Sequence, residues 1–417
     1  MPRITAPALF TVLVLSLPPG YAGETAEDPV QASFDRLVDA LRDTQAAIRQ
    51  MPAYGSEAER VGGQRHVLRA FIKGLEAEVL QDADYPYFRI LDFWLKEGGD
   101  NPDQRYAFSP VRGGEPYRVW GTLGSATRVE IQLYAGRPWD GSGKSVGYLN
   151  AEDIAVAPDG SFEVWVSAEQ RPGTWLANPE DATTLFVRHI YADWNQARPG
   201  EVHIDRVGFE GARRPQETAQ ELAARLDAAA TMFRTTALNW PTFVQKRYIE
   251  ARPANAVIPP IDTYRMGGAK GRWLSSGHFD LAEDEALLIR MPATDAAYQG
   301  IQLTDLWYAS LEHGNQISSL TTQQSAGAPD DAFYYVVSST DPRYPNWLDT
   351  GALSRGTMIL RWDGMTKPLT EAEWPSARVL KKGEVAAAIP GFYAVDETSR
   401  INTRAERRRH LQLRANR

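Results

Sequence analysis

Two stretches decide the fold when laid side by side: Pro158–Ile190, PDGSFEVWVSAEQRPGTWLANPEDATTLFVRHI, and Pro329–Asp363, PDDAFYYVVSSTDPRYPNWLDTGALSRGTMILRWD. Each opens on a Pro-Asp turn, runs into a strand ending Val-Ser (Val166-Ser167; Val337-Ser338), crosses a Trp-Leu loop (Trp175-Leu176; Trp347-Leu348) and enters a second strand. That strand carries Thr184 with Arg188 four residues on, and Thr357 with Arg361 four residues on. The same features in the same order, about 171 residues apart, indicate a duplicated unit.

Working outward, the period of two continues. Tyr117, Val119, Gly121 and Leu123 alternate, and Val129, Ile131 and Leu133 alternate with Arg128, Glu130 and Gln132. Further short strands read at 202–207, 286–289 and 301–307. Many short strands divided by Gly, Pro and Asp turns give a mainly β chain with helical segments, an α+β multidomain protein of two β-sandwich-like domains joined by helices. The helices announce themselves by their starts. Asp28 precedes Pro29, and Ser56 stands three residues before Glu59. Apolar stripes follow each (Phe34, Leu37, Val38, Leu41, Ile48; then Val67, Leu68, Phe71, Ile72, Leu75, Val79). A third helical stretch, 217–248, places Leu222, Leu226, Met232 and Phe233 on one face before Pro253, Pro259 and Pro260 end it. The expected organisation is a signal segment 1–22, N-terminal helices 23–82, a first sandwich 83–211, a connector 212–262, a second sandwich 263–396 and a basic terminal helix 397–417.

Arg3, the apolar run Ala8–Leu17, the breakers Pro18-Pro19-Gly20 and the small residues before a cut after Ala22 read as a secretory signal peptide. The run is too short for a membrane span, which needs about 20 apolar residues, so no transmembrane anchor is expected after processing. With no cysteine in 417 residues there are no disulfides or thiolate sites, a composition that suits a bacterial periplasmic or secreted protein. The net charge is -8, and loss of Arg3 makes it more acidic; no nucleic-acid partner is expected. Positive charge gathers only at the end, in Arg400, Arg404, Arg407, Arg408, Arg409, Arg414 and Arg417. That cluster reads either as a solvated helix face or as a contact for an anionic surface.

The run Asp341-Pro342-Arg343-Tyr344-Pro345-Asn346-Trp347-Leu348-Asp349-Thr350, with Arg355-Gly356-Thr357 and Leu360-Arg361-Trp362, resembles the bacterial proteins of domain of unknown function 1214. Pro158-Asp159-Gly160, Trp175-Leu176 and Val187-Arg188 through Asp193-Trp194 are similar to the N-terminal half that accompanies it, domain of unknown function 1254. The resemblance implies two sandwich-like domains with helical connections and no established chemistry.

Familiar catalytic motifs fail. Gly141-Ser142-Gly143-Lys144-Ser145 ends like a phosphate-binding loop, but Pro138 replaces the first glycine and no helix pattern follows, so it reads as a hairpin loop. There is no Gly-x-Ser-x-Gly elbow, no His-Glu-x-x-His helix, and no histidine pair at metal-ligand spacing; neither cofactor nor metal is expected. What remains is a set of candidates. Trp347, Asn346 and Asp349 offer a ring face, an amide and a carboxylate suited to a sugar or other small polar molecule, and they equally suit a plugged, capped turn. Trp307, Tyr308, Glu312, His313 and Asn315 form the densest mixed cluster of the second domain, with Glu312, His313 and Asp349 as acid-base candidates. Arg361 and Arg355 complete the ligand-binding candidates. Arg188 and Arg361 read either as structural arginines bridged to a carboxylate such as Asp193 or Asp349, or as anion binders. Two functions stay open: binding or hydrolytic processing of a carbohydrate-like or other small polar molecule, and a non-catalytic envelope interaction.

Overall fold

The computed structural model describes residues 28–91, 93–137, 142–194, 198–264 and 268–415. The signal segment 1–22, Pro138, Gly141 and Arg417 lie outside the described residues.

The chain is mainly β, with two sandwiches and a helical layer. In the first sandwich the front sheet runs in the order Arg89–Leu91, Gln104–Pro110, Ala182–Ile190, Arg128–Ala135, Lys144–Leu149, and the back sheet in the order Thr174–Ala177, Ser161–Ser167, Tyr117–Thr122, Glu201–Arg206. The second sandwich repeats this plan. Its front sheet runs Ala256–Val257, Trp273–Asp280, Arg355–Asp363, Tyr298–Thr304, Ser319–Thr321, and its back sheet centres on Trp347–Asp349, Ala332–Ser338, Glu285–Pro292, Ser376–Lys381. The strands of the first sandwich recur in the same order, and the second adds Ile261–Asp262 beside Trp273–Asp280 and Gly327–Ala328 beside Ala332–Ser338. The Trp-Leu segments expected as loops are short parallel strands, pairing Val166 with Leu176 and Val337 with Leu348. Each is pinned alike: Trp175 Nε1 donates to Ser167 O at 3.2 Å and Trp347 Nε1 to Ser338 O at 3.0 Å. Both serine hydroxyls bend to a carbonyl two residues on, Glu169 O and Thr340 O. This shared detail is beyond what two unrelated hairpins give.

Alternation sets which residues face where. Val129, Ile131, Leu133, Leu185 and Val187 enter the first core, and Met358 and Leu360 the second. Their neighbours Arg128, Glu130, Gln132 and Arg188 point to the opposite face of the front sheet, and yet are buried, because the two front sheets face one another. The expected strand 301–307 stops at Thr304, where Asp305 Oδ1 accepts from the amides of Trp307 and Ala309 and closes a turn.

Helices α1 (Pro29–Ile48), α2 (Glu57–Gly74) and α3 (Ala219–Val244) form one layer, α1 and α2 both packing on α3. The caps are those the sequence announced: Asp28 accepts from Val30 N, and Ser56 with Glu59 makes a reciprocal capping box. The apolar stripes are only partly the buried faces. Leu37, Ile48 and Val67 are buried, whereas Phe34, Leu68 and Ile72 are exposed. The inward face of α2 is instead small and polar: Gly63 sits on the Trp307 ring and His66 stacks on it with centroids 5.8 Å apart. A short helical turn α4 (Val385–Ala388) precedes α5 (Glu397–Ala415). No described helix is long and apolar enough to cross a membrane.

Burial sets an acid sensitivity. Burial lowers His66 and His189 to about 4 and His410 to about 2, so the unfolded chain, with ordinary histidines near 6.5, takes up protons first as pH falls. Stability is therefore fully present above about pH 6.5 and declines toward pH 4, with a slope of up to about 1.4 kcal/mol per pH unit for each histidine. Burial raises Asp305 to about 6 and lifts Asp103 and Asp349 above their ordinary values, which opposes this trend, but His278 and His313 are also lowered, so five imidazoles are set against three carboxyls. Thermal unfolding followed from pH 7.5 to pH 5 should show a falling midpoint. The slope should shrink by about one proton in His66→Gln, whose amide can keep the bond to Ala237 O. A midpoint unchanged over this range would contradict the assignment.

Candidate functional site: a cleft between the sandwiches

The sequence candidates do not come together. Asn346 is fully buried and spends its amide on the backbone, accepting from Ala326 N and donating to Ala326 O and Tyr334 O. Trp347 is buried under the Arg400 guanidinium, 5.4 Å from the ring centroid. Asp349 is half-buried, accepts from Gly351 N at 2.8 Å, and is pushed above its ordinary pKa by burial. Glu312 and His313 diverge as neighbours in an extended segment do. Glu312 faces solvent and caps the amides of Gly314 and Asn315, while His313 is buried. Trp307 donates from Nε1 to Glu59 O at 2.8 Å inside the helical layer. Arg355 holds Glu59 with two guanidinium nitrogens. Tyr308, at φ +63°, shares a 3.0 Å hydroxyl contact with Tyr248. Arg361 alone among them lines an open cleft.

That cleft lies between the two front sheets. Its inner part, about 320 Å³, is walled by Tyr106, Phe108, Phe186 and Arg188 from the first sandwich, by Arg272, Leu274 and Arg361 from the second, and by Trp240 of α3. It continues into a vestibule of about 1010 Å³ along Lys144–Tyr148, which shares Gly98, Tyr134, Trp240, Thr263 and Gly268 with the inner part. Lys144, from the rejected phosphate loop, opens a hairpin strand paired to Ala135. The floor turns at Gly98 and Gly99, both with positive φ, 65° and 68°. A Cβ on Gly98 would meet the Trp240 ring at 2.8 Å and one on Gly99 the Tyr308 ring at 2.7 Å. Tyr308 therefore supports the cleft from behind.

The two arginines matched by the duplication meet here. Arg188 faces Tyr106 across the ladder as Arg361 faces Leu274. Among the described residues neither bridges to a carboxylate, so the expected partners Asp193 and Asp349 do not hold the pair. Asp349 is committed to Gly351. Glu130, the cross-strand neighbour of Arg188, is committed to Arg272 at 2.9 Å and Arg128 at 3.5 Å. Arg361 donates to Gln302 Oε1 and, at 2.6 Å, to Gly99 O. The guanidinium of Arg188, a residue only 7% exposed, lies 3.7 Å from the Phe186 ring centroid, and its Nη1 meets no acceptor among the described residues. Phe186 is stacked on Phe108 at 4.1 Å and tilted against Tyr106 at 5.4 Å, so the arginine rests on an aromatic wall. Both guanidiniums lie close enough to the Tyr106 hydroxyl to oppose the rise that burial imposes on its pKa.

The acids at the cleft are already occupied. Glu97 pairs with Lys73 at 2.7 Å, and Asp100 accepts from Ser310 N and Oγ. Arg272 is neutralised by Asp363 and Glu130. The unneutralised charge is thus positive. Among the described residues no group of three His, Cys, Asp or Glu could hold a metal ion. The sequence carried one signal for this site, the matched arginines. Trp240, Gly98 and Gly99 carried none, because their roles arise only when α3 and the two sheets are assembled.

No family model matches the chain, and no curated protein matches it. Among solved structures it is similar to the VPA0106 protein from Vibrio parahaemolyticus, at 12% identity over 83% of this chain and 100% of that one, with a TM-score of 0.44, too low to build on. It is also similar to an uncharacterized protein from Burkholderia cenocepacia, at 27% identity, covering 85% of this chain and 98% of that chain with a TM-score of 0.77, so this chain shares the two-sandwich architecture over nearly the whole of that protein.

Proposed function

We propose that this is an exported bacterial protein of the kind formed by domains of unknown function 1254 and 1214, and that it binds a small organic anion in the cleft between its sandwiches. The observation that carries the reading is Arg188: a buried guanidinium with a nitrogen that meets no partner among the described residues, on an aromatic wall, facing a cleft that its duplicate Arg361 also enters. A buried charge without a counter-charge is costly, and a carboxylate supplies two acceptors in the geometry a guanidinium fork requires. A neutral sugar would leave Arg188 uncompensated, so within the carbohydrate class the reading favours acidic sugars. Binding fits the site better than hydrolysis, because the carboxylates lining it are engaged and Asp349, Glu312 and His313 lie elsewhere.

Arg188→Ala should weaken binding of an organic acid that stabilises the wild type by about 10- to 100-fold, since a hydrogen bond to a charged group contributes about 1.5–3 kcal/mol. Arg361→Ala should weaken it less cleanly, because Gln302 and Gly99 also lose a donor. Isothermal titration checks both; unchanged affinity in Arg188→Ala would remove the residue from the site. A second reading, an envelope interaction protein, draws on the exposed Val61, Leu68 and Ile72 of α2.

A further inference from the structure

The apolar part of the inner cleft is mainly aromatic. Tyr106, Phe108, Tyr134 and Phe186 reach it from the first front sheet, and Trp240 reaches it from α3. Strand register brings the first four together. Tyr106 and Phe108 lie two apart on one strand and so share a face, and Phe186 stands opposite Phe108 on the next. Around Phe186, Phe108 stacks at 4.1 Å and 12°, Tyr106 lies at 5.4 Å and 31°, and Tyr134 at 6.4 Å and 34°. The four rings thus form one block of roughly parallel planes.

The block presents edges rather than faces at its centre. Phe108 lies on Phe186 at 4.1 Å and the Arg188 guanidinium at 3.7 Å. Two groups that close cannot share one face, so both faces of Phe186 are covered. Ring edges carry the positive side of the aromatic quadrupole, and they attract the negative face of another ring. A guanidinium attracts that face as well. A sugar ring packs its C–H groups on an open aromatic face, which Phe186 does not offer. Trp240 adds a ring from the helical layer, seated on Gly98 and tilted against Tyr308 at 5.5 Å. The acids do not choose among anions, because each serves the protein: Glu97 pairs with Lys73, Asp100 accepts from Ser310, and Glu130 and Asp363 hold Arg272.

We propose that the ligand of the cleft is a single-ring aromatic carboxylate, with its carboxylate on Arg188 and its ring against the Tyr106, Phe108 and Phe186 block and Trp240; this rests on the organic-anion reading and narrows it. Size agrees with chemistry. The inner cleft of about 320 Å³ lies at the small end of ligand pockets, which run from about 300 to 1,000 Å³, so it suits one ring with a short acidic arm. The vestibule gives the ligand its way in.

Isothermal titration with benzoate against cyclohexanecarboxylate, and phenylacetate against cyclohexylacetate, tests this with pairs matched in charge and nearly in size. The aromatic member should bind about tenfold more tightly, since an aromatic pair adds about 2- to 10-fold beyond its buried area. Trp240→Leu should cut that advantage by about 2- to 10-fold and leave the cyclohexyl acids little changed. Arg188→Ala should weaken both members of each pair. A saturated acid that binds as tightly as its aromatic partner, or an acidic sugar that outbinds every aromatic acid, would overturn the inference and leave the anion reading standing. Failure of every acid to bind, or binding indifferent to Arg188, would overturn both. If Trp240→Leu does not fold, the paired comparison in the wild type decides.

Discussion

Replacing Asp363 with asparagine should destabilise the protein by about 3–5 kcal/mol, because it strips one charge from a buried pair while leaving the other in place. Asp363 is fully buried on the second front sheet and grips Arg272 Nε and Nη2, while Arg272 Nη2 also reaches Glu130 Oε2 of the first sandwich at 2.9 Å. Glu130 lies 3.5 Å from Arg128, which in turn holds Glu152 and Asn150. The chain of charges Asp363–Arg272–Glu130–Arg128 thus crosses from one sandwich to the other beneath the cleft. The asparagine is close in shape, so the loss measures charge compensation rather than a cavity. Denaturant unfolding should show the midpoint falling with little change in slope. A loss under about 1 kcal/mol would mean that Glu130 alone compensates Arg272.

Trp307→Ala should cost a similar amount, about 3–5 kcal/mol, by a different route. Trp307 has no exposed surface, lies on Gly62 and Gly63 of α2, stacks with His66 and meets the edge of Tyr54. Its indole also satisfies Glu59 O, and Glu59 is the residue that both caps α2 and binds Arg355 of the second sandwich. Truncation empties the seat between the helical layer and the second sandwich and removes the second donor that the Glu59 carbonyl has beside its helical amide partner. The helical layer should loosen first, seen as faster amide exchange in α2 than in the cores of either sandwich. Uniform loss of protection would contradict that order.

Much of the fold was legible because it is written locally. Helix caps, period-two strands and the recurring Trp-Leu unit each depend on residues near one another in the chain, and each has its structural counterpart. The face on which a polar residue ends up was not legible. Arg128, Glu130 and Gln132 alternate like a solvent-facing row, but a second sheet covers them, and sequence spacing does not encode that partner. The arginines of α5 show the same limit. Charge alone suggests an exposed row, whereas Trp194, Trp347 and backbone carbonyls of distant loops accept three of them internally. The candidate site follows the same rule. The matched Arg188 and Arg361 were visible as a pair, but that they enter one cleft depends on how the duplicated units dock face to face. Asn346 and Trp347, the residues most suggestive of recognition, stabilise the short parallel strand instead.

The claim that the cleft takes an organic anion is tested most directly by a thermal-shift screen of the protein against matched acid and amide pairs, aromatic and aliphatic, and against acidic and neutral sugars. A ligand present at about 100 times its dissociation constant adds about 2.7 kcal/mol to stability, a shift of a few degrees. The account predicts that acids shift the midpoint where their amides do not, and that the shift disappears in Arg188→Ala. Equal shifts with acids and amides, or shifts that survive the loss of Arg188, would contradict it. A screen in which no acid shifts the midpoint would contradict it as well and favour the exposed face of α2 as the working surface.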